Sequence, residues 1–178
     1  MIARATNQAR YPLPVLIVAA VLALALGASG ALALAATKPV TSSGVGAVKL
    51  GKTYSSLRAA GLLGKVTPGC ELAGPNTRSA PLRAPLKGSV DLSTTVPRRV
   101  RTIVVRSGAA ARGVGIGTRQ EAITEKFRGV RFDHSTDATF GITIARVPTS
   151  GGGRLEFAID TTTRKVTLIG IPAIPFCE

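Results

Sequence analysis

The chain has 178 residues, with 23 Lys and Arg against 9 Asp and Glu, a formal net charge of +14, one His, two Cys and no Trp. So few histidines, cysteines and acids leave little material for a multi-ligand metal centre or paired acid–base machinery. The positive charge favours anionic partners, and the Arg- and Ala-rich usage behind it also fits a GC-rich genome.

The N-terminus has the form of a targeting signal. Arg4 and Arg10 give a positive start, and no acidic residue precedes Glu71. Leu13 to Ala36 carries no charge, Val15 to Leu26 is continuously apolar, and Ala33-Leu34-Ala35 fits a small-x-small cleavage site. The pattern predicts a signal peptide over 1–35. The uncharged run is also long enough to span a bilayer, so an uncleaved membrane anchor is the alternative. No Cys follows the run, which removes lipid attachment of the bacterial kind. Both readings place the rest of the chain outside the cytoplasm, secreted or held at the cell envelope, and export argues against a nucleic-acid partner. Without Arg4 and Arg10 the charge is still +12.

Residues 36–44 are small, polar and Gly-rich, and read as a linker. Val48-Lys49-Leu50-Gly51-Lys52-Thr53 then leads into a short helix. Gly51 allows a sharp entry turn, Thr53 is a candidate N-cap, and Tyr54, Leu57, Ala60 and Gly61 follow helical spacing. Thr67 to Pro85 is loop-rich and holds Cys70. Cys70 and Cys177, the two cysteines of an exported chain, read as one disulfide. It would close a loop of about 100 residues, worth about 4 to 5 kcal/mol of chain entropy. Arg98 to Arg106 is the clearest strand, β-branched and bounded by Pro97 and Ser107-Gly108.

A second unit begins near Gly113. Thr118-x-x-Glu121 has the form of a capping box, and Ile123 and Phe127 form one helical face ending by Gly129. Phe140, Ile142, Ile144 and Val147, then Leu155, Phe157 and Ile159, then Val166 to Ile171 read as a meander of about three strands, turned at Ser150 to Gly153 and Asp160 to Thr163.

The two parts correspond at an offset of 66 residues. Val48, Leu50, Gly51 and Leu57 map onto Val114, Ile116, Gly117 and Ile123. Arg98-Arg99-Val100 maps onto Arg164-Lys165-Val166, Ile103 onto Ile169 and Val105 onto Ile171. One offset fitting both ends argues for a duplicated unit. The expected fold is therefore α+β: a tandem of two units, 45–112 and 113–178, each a short helix followed by an antiparallel sheet.

The duplicated Val-x-Leu-Gly-x-Thr-x-x-x-Leu pattern resembles the helix-entry motif of the beta-lactamase inhibitory protein family and of the related small outer-membrane assembly lipoproteins (the SmpA/OmlA, or BamE-like, superfamily). The resemblance implies one or two helices packed on an antiparallel sheet in each unit, and an exported setting. The family usually has Gly-Met-Thr, whereas Lys52 stands in the Met position here and the second unit reads Gly117-Thr118-Arg119. A Cys70–Cys177 bridge would cross units, whereas the inhibitory protein pairs cysteines within them. That protein's inhibition uses an aromatic-rich sheet, and beyond residue 36 this chain offers only Tyr54, Phe127, Phe132, Phe140, Phe157 and Phe176.

No catalytic, cofactor-binding or metal-binding set emerges. Asp133-His134-Ser135 contains the residue types of a hydrolase triad, but consecutive residues cannot converge as one. Asp133, His134 and Asp137 lack further ligands at a metal-site spacing. Gly113 to Gly117 is neither a dinucleotide nor a Walker sequence. Arg98, Arg99 and Arg101 form the densest basic cluster, with Arg99 and Arg101 on one strand face. With Arg112 and Arg119 they are the candidates for binding an anionic envelope polymer or acidic protein. The expectation is a non-enzymatic binding module, with an envelope structural or assembly role, or inhibition of a secreted enzyme, as alternatives.

Overall fold

The computed structural model describes residues 37–70 and 76–176. Ala35–Glu178 forms one compact unit. The expected signal or anchor segment over 1–35, and Cys177, lie outside the described residues. Among the described residues no helix is long and apolar enough to cross a membrane.

The elements in order are β1 (Lys38–Thr41), β2 (Gly44–Val45), β3 (Val48–Lys49), α1 (Tyr54–Ala59), β4 (Thr67–Pro68), β5 (Arg78–Pro81), β6 (Lys87–Leu92) and β7 (Val100–Ser107). Then follow β8 (Ala109–Ala111), β9 (Val114–Gly115), α2 (Glu121–Lys126), β10 (Arg131–Asp133), α3 (Asp137–Phe140), β11 (Ile142–Pro148), β12 (Arg154–Asp160) and β13 (Val166–Ile171). Eight strands form one antiparallel sheet in the order β10-β11-β12-β13-β7-β6-β5-β4. Five short strands form a second sheet, β3-β2-β1-β8-β9, in which β1 and β8 run parallel.

The α+β tandem of helix-plus-sheet units is thereby corrected. The described chain is mostly β, 46% strand and 12% helix, with two sheets and three short helices. The helices are too short to form a layer: α1 and α2 have six residues each and bury only Leu57 and Ile123 respectively. Helices of this length owe their existence to packing. The β-branched runs instead merge both halves into a single sheet. Small residues read as linker or helix entry pair with each other and become the second sheet. Val40 of the expected linker is buried on β1, and Val45 and Val48 pair across β2 and β3.

The main core lies between these sheets. Val90, Ile103, Val105, Phe157, Ile159, Ile169 and Ile171 of the long sheet are buried against Val45, Val48, Leu57, Ile123 and Val114. Full burial of each large side chain is worth about 1.5 to 3 kcal/mol. β12 departs from alternation, with Leu155 to Ile159 all buried, because both of its faces are covered. Ile174, from the segment after β13, packs with Ile144 and Ala158 in a separate cluster. A Cβ on Gly170 would come within 2.5 Å of Ile174 Cγ1, so this close crossing requires glycine.

The 66-residue offset persists in the backbone hydrogen bonds. Gly51 N donates to Val100 O at 2.8 Å, and Gly117 N to Val166 O at 2.8 Å. Val100 N donates to Lys52 O and Val166 N to Thr118 O, both at 2.9 Å. Gly44↔Lys49 and Val45↔Val48 recur as Ala110↔Gly115 and Ala111↔Val114. β7 and β13 meet with Val104 opposite Gly170, two positions themselves 66 apart, so a local pseudo-dyad passes between them. Gly51 and Gly117 hold the same left-handed turn, φ +77 and +83.

Thr53 caps α1 as expected, its hydroxyl accepting from Ser56 N at 3.3 Å. The expected Thr118–Glu121 capping box does not form. Gln120 is the N-cap, and the Thr118 hydroxyl accepts from Gly115 N at 3.0 Å in the preceding turn. Phe140, read as part of a strand, ends α3, and Gly141 at φ +63 redirects the chain into β11.

Candidate anion-binding site

Charge is divided unequally between the halves. Residues 37–112 contain thirteen Lys and Arg against Glu71 and Asp91, whereas residues 113–178 contain eight against seven Asp and Glu. The ion pairs between described residues all lie in the later half. Arg146 meets Asp133 at 2.6 Å and Glu156 at 3.3 Å, Arg154 meets Glu156 at 3.4 Å, and His134 meets Asp137 at 2.8 Å.

The turn from β6 to β7 builds a groove in the basic half. Ser93 closes the turn: its N donates to Arg99 O at 2.7 Å, and its Oγ accepts from Arg99 N at 2.9 Å. Arg99 Nη1 then donates to Gly51 O at 2.8 Å, tying the turn to the entry of α1. The groove, about 450 Å³, is lined by Leu50, Thr95, Val96, Arg99 and Arg101 among others. Val96 is 86% exposed beside the two guanidinium groups. Both arginines reach one groove because a strand puts alternate residues on one face.

The corresponding turn in the later half carries an acid. Asp160 Oδ1 accepts from Thr163 N at 2.6 Å and from its hydroxyl at 2.8 Å. The Thr163 backbone bond, the largest influence, holds the Asp160 carboxyl below its ordinary pKa. A serine hydroxyl thus does in one half what a carboxylate does in the other, and only the serine leaves the groove without a negative group.

The five arginines singled out in the sequence separate. Arg99 and Arg101 share this groove. Arg98 is half-buried, its carbonyl accepting from Tyr54 N at 2.8 Å and its Nε without a hydrogen-bond partner among the described residues. Arg119 is exposed, bridges to Lys165 and lines neither groove described here. Arg112 lies at the β8–β9 turn, 5.4 Å above the Phe127 ring, with Nη1 donating to Lys126 O at 3.3 Å. It rims a different groove of about 610 Å³, with Lys126, Arg128 and Thr149. Sequence reasoning missed those three, although Lys126-Phe127-Arg128, an aromatic between two cations, was a visible signal. It also missed Arg131 and Arg154, which line a third groove, about 580 Å³, beside the neutralised Arg146.

His134 is exposed on a loop. Asp137 accepts from the Thr143 hydroxyl at 2.8 Å with one oxygen and contacts His134 with the other, so this group fastens α3 to β11. Among the described residues no group of three His, Cys, Asp or Glu could hold a metal ion. Cys70 is not a free thiol, and its Sγ lies 3.8 Å from the carbonyl of Phe176, the neighbour of Cys177.

The chain matches no family model, no curated protein and no solved structure.

Proposed function

We infer that this is an exported, non-catalytic binding module of the cell envelope or extracellular space. It recognises an anionic protein or polymer through the basic surface of residues 37–112, with Arg99 and Arg101 in the contacting groove. The carrying observation is the charge split: nearly all the net charge sits in one half, where the groove turn is closed by Ser93 instead of an acid. Such a field speeds encounter with an anion, while the shape of the groove supplies selectivity. The proximity of Cys70 to Phe176 supports a Cys70–Cys177 bridge, in keeping with an oxidising compartment.

The test separates groove from bulk charge. Arg99→Glu with Arg101→Glu is compared with Lys65→Glu plus Lys87→Glu, which changes net charge equally at exposed positions. The full-length chain is assayed for binding to envelope and secreted fractions at 50 and 300 mM salt. The groove variant should lose at least tenfold at low salt and the control much less. Equal losses would reduce the basic half to a solvated surface.

A second reading, inhibition of a secreted enzyme, draws on the resemblance to the inhibitory protein family and on the 66-residue recurrence of backbone bonds. Capture of one enzyme that persists at high salt would favour it.

A further inference from the structure

We propose that the groove rimmed by Arg112, Lys126 and Arg128 is a second binding site, one that takes an acidic saccharide. It lies apart from the Arg99/Arg101 groove and does not depend on that reading.

The first observation is where Arg112 stands. It occupies a left-handed backbone conformation at φ +49, which a side chain disfavours. The position 66 residues earlier, in the β2–β3 turn, is Gly46 at φ +52. The same turn therefore exists in both halves, with the undemanding residue in one and an arginine in the other. The arginine carries a cost that the fold itself does not require. Its side chain is also fixed, by the Phe127 ring and the Lys126 carbonyl.

The second observation is independent. The Thr149 hydroxyl oxygen, in the turn after β11, is buried and has no hydrogen-bond partner among the described residues. Buried polar atoms are almost always paired, so this hydroxyl gains a hydrogen bond if the turn gives way to a ligand in the groove. Thr149 lines the same groove as Arg112.

The lining decides the ligand class. Three cations favour a negative group, which a bare inorganic anion would also supply. Glu125 lies in the same groove and repels a simple anion, yet accepts readily from hydroxyls. Ser42, Thr149 and other hydroxyl side chains of the lining both donate and accept. A ligand with carboxylates and many hydroxyls uses all of these, and the volume of about 610 Å³ suits a short oligosaccharide.

The test is calorimetric titration of the full-length chain with trigalacturonate, with the neutral galactose trisaccharide and with inorganic phosphate. Thermal melting is followed in parallel. Trigalacturonate should bind saturably, at least tenfold tighter than the other two. Arg112→Gly restores the residue found in the equivalent turn, and Thr149→Val removes the orphan hydroxyl at nearly constant volume. Each should weaken binding at least fivefold while leaving the melting temperature equal or higher. Lys65→Ala, at an exposed lysine outside both grooves, should leave trigalacturonate binding unchanged. Absence of saturable binding, phosphate binding as tightly as the saccharide, or variants that keep full affinity would each overturn the proposal. If Arg112→Gly alone loses stability, Thr149→Val decides.

Discussion

The two halves share a backbone pattern and differ in what it carries. From Val48 to Ser107 the chain is basic and almost free of acids. From Val114 to Ile171 it is nearly balanced, and its acids are spent on arginines, turns and a loop clamp. Glycine turns, ladder bonds and single buried helix residues repeat at one spacing, whereas the side chains at Ser93 against Asp160 and at Gly46 against Arg112 differ. Positions set by backbone geometry stayed alike, and positions set by side-chain chemistry diverged.

The largest test of that equivalence is the core. Leu57 and Ile123 are the sole buried residues of α1 and α2, 4% and 0% exposed. Leu57→Ala and Ile123→Ala should each cost about 2 to 4 kcal/mol in urea unfolding. A cost below about 1 kcal/mol for one alone would mean that the halves contribute unequally to a shared core.

Next in size are the entry turns. Gly51→Ala and Gly117→Ala meet no atom within 4 Å, so the left-handed conformation alone opposes them. Each should lower stability by about 1 kcal/mol, within a few tenths of the other. A large difference between them would separate two turns that now look alike.

The smallest effects concern pH, and there the halves should move in opposite directions. The hydrogen bonds to Asp160 from Thr163, to Asp137 chiefly from His134 and to Asp133 chiefly from Ser135 hold these carboxyls below their ordinary pKa. Ionised, they add stability above about pH 4, and they lose it as pH falls through the folded values. Burial pushes Asp91 of the basic half upward, against a smaller opposing effect of Ser79. Its ionised form therefore weakens the fold, and acid relieves it. Asp160→Asn should lower the melting temperature at pH 7, with the gap narrowing as pH falls below about 4. Asp91→Asn should raise it at pH 7 by about 1 to 3 °C, also converging in acid. The same sign for both would contradict the division.

The repeat was legible because Gly51/Gly117 and Leu57/Ile123 are constrained by φ and by burial, and such constraints leave residue types behind. The fold class was not. Val40, Val45, Ala109 and Ala111 belong to strands of two to four residues, too short for alternation to show, and their pairing with one another is long-range. The Thr118–Glu121 spacing has the residue types of a capping box, but the Thr118 hydroxyl accepts from Gly115 N in the preceding turn instead. At the candidate site, Arg99 and Arg101 could be placed together because strand period fixes a shared face. Nothing local reveals that Arg112 and Thr149 line one groove, since Thr149 comes from a turn 37 positions later.

The join between β7 and β13 also has a consequence for how the chain is made. β13 comes last in chain order among the described strands, yet it sits at the middle of the eight-stranded sheet. Until β13 has been made, β7 remains an open edge presenting Thr102-Ile103-Val104-Val105, a sequence suited to pairing with a neighbouring chain. Arg101 and Arg106 bracket that stretch and are both exposed. Charges so placed discourage edge-to-edge association of nascent chains during the interval before β13 arrives. Arg101, which lines the groove beside Ser93, thus also guards a strand edge while the sheet is incomplete.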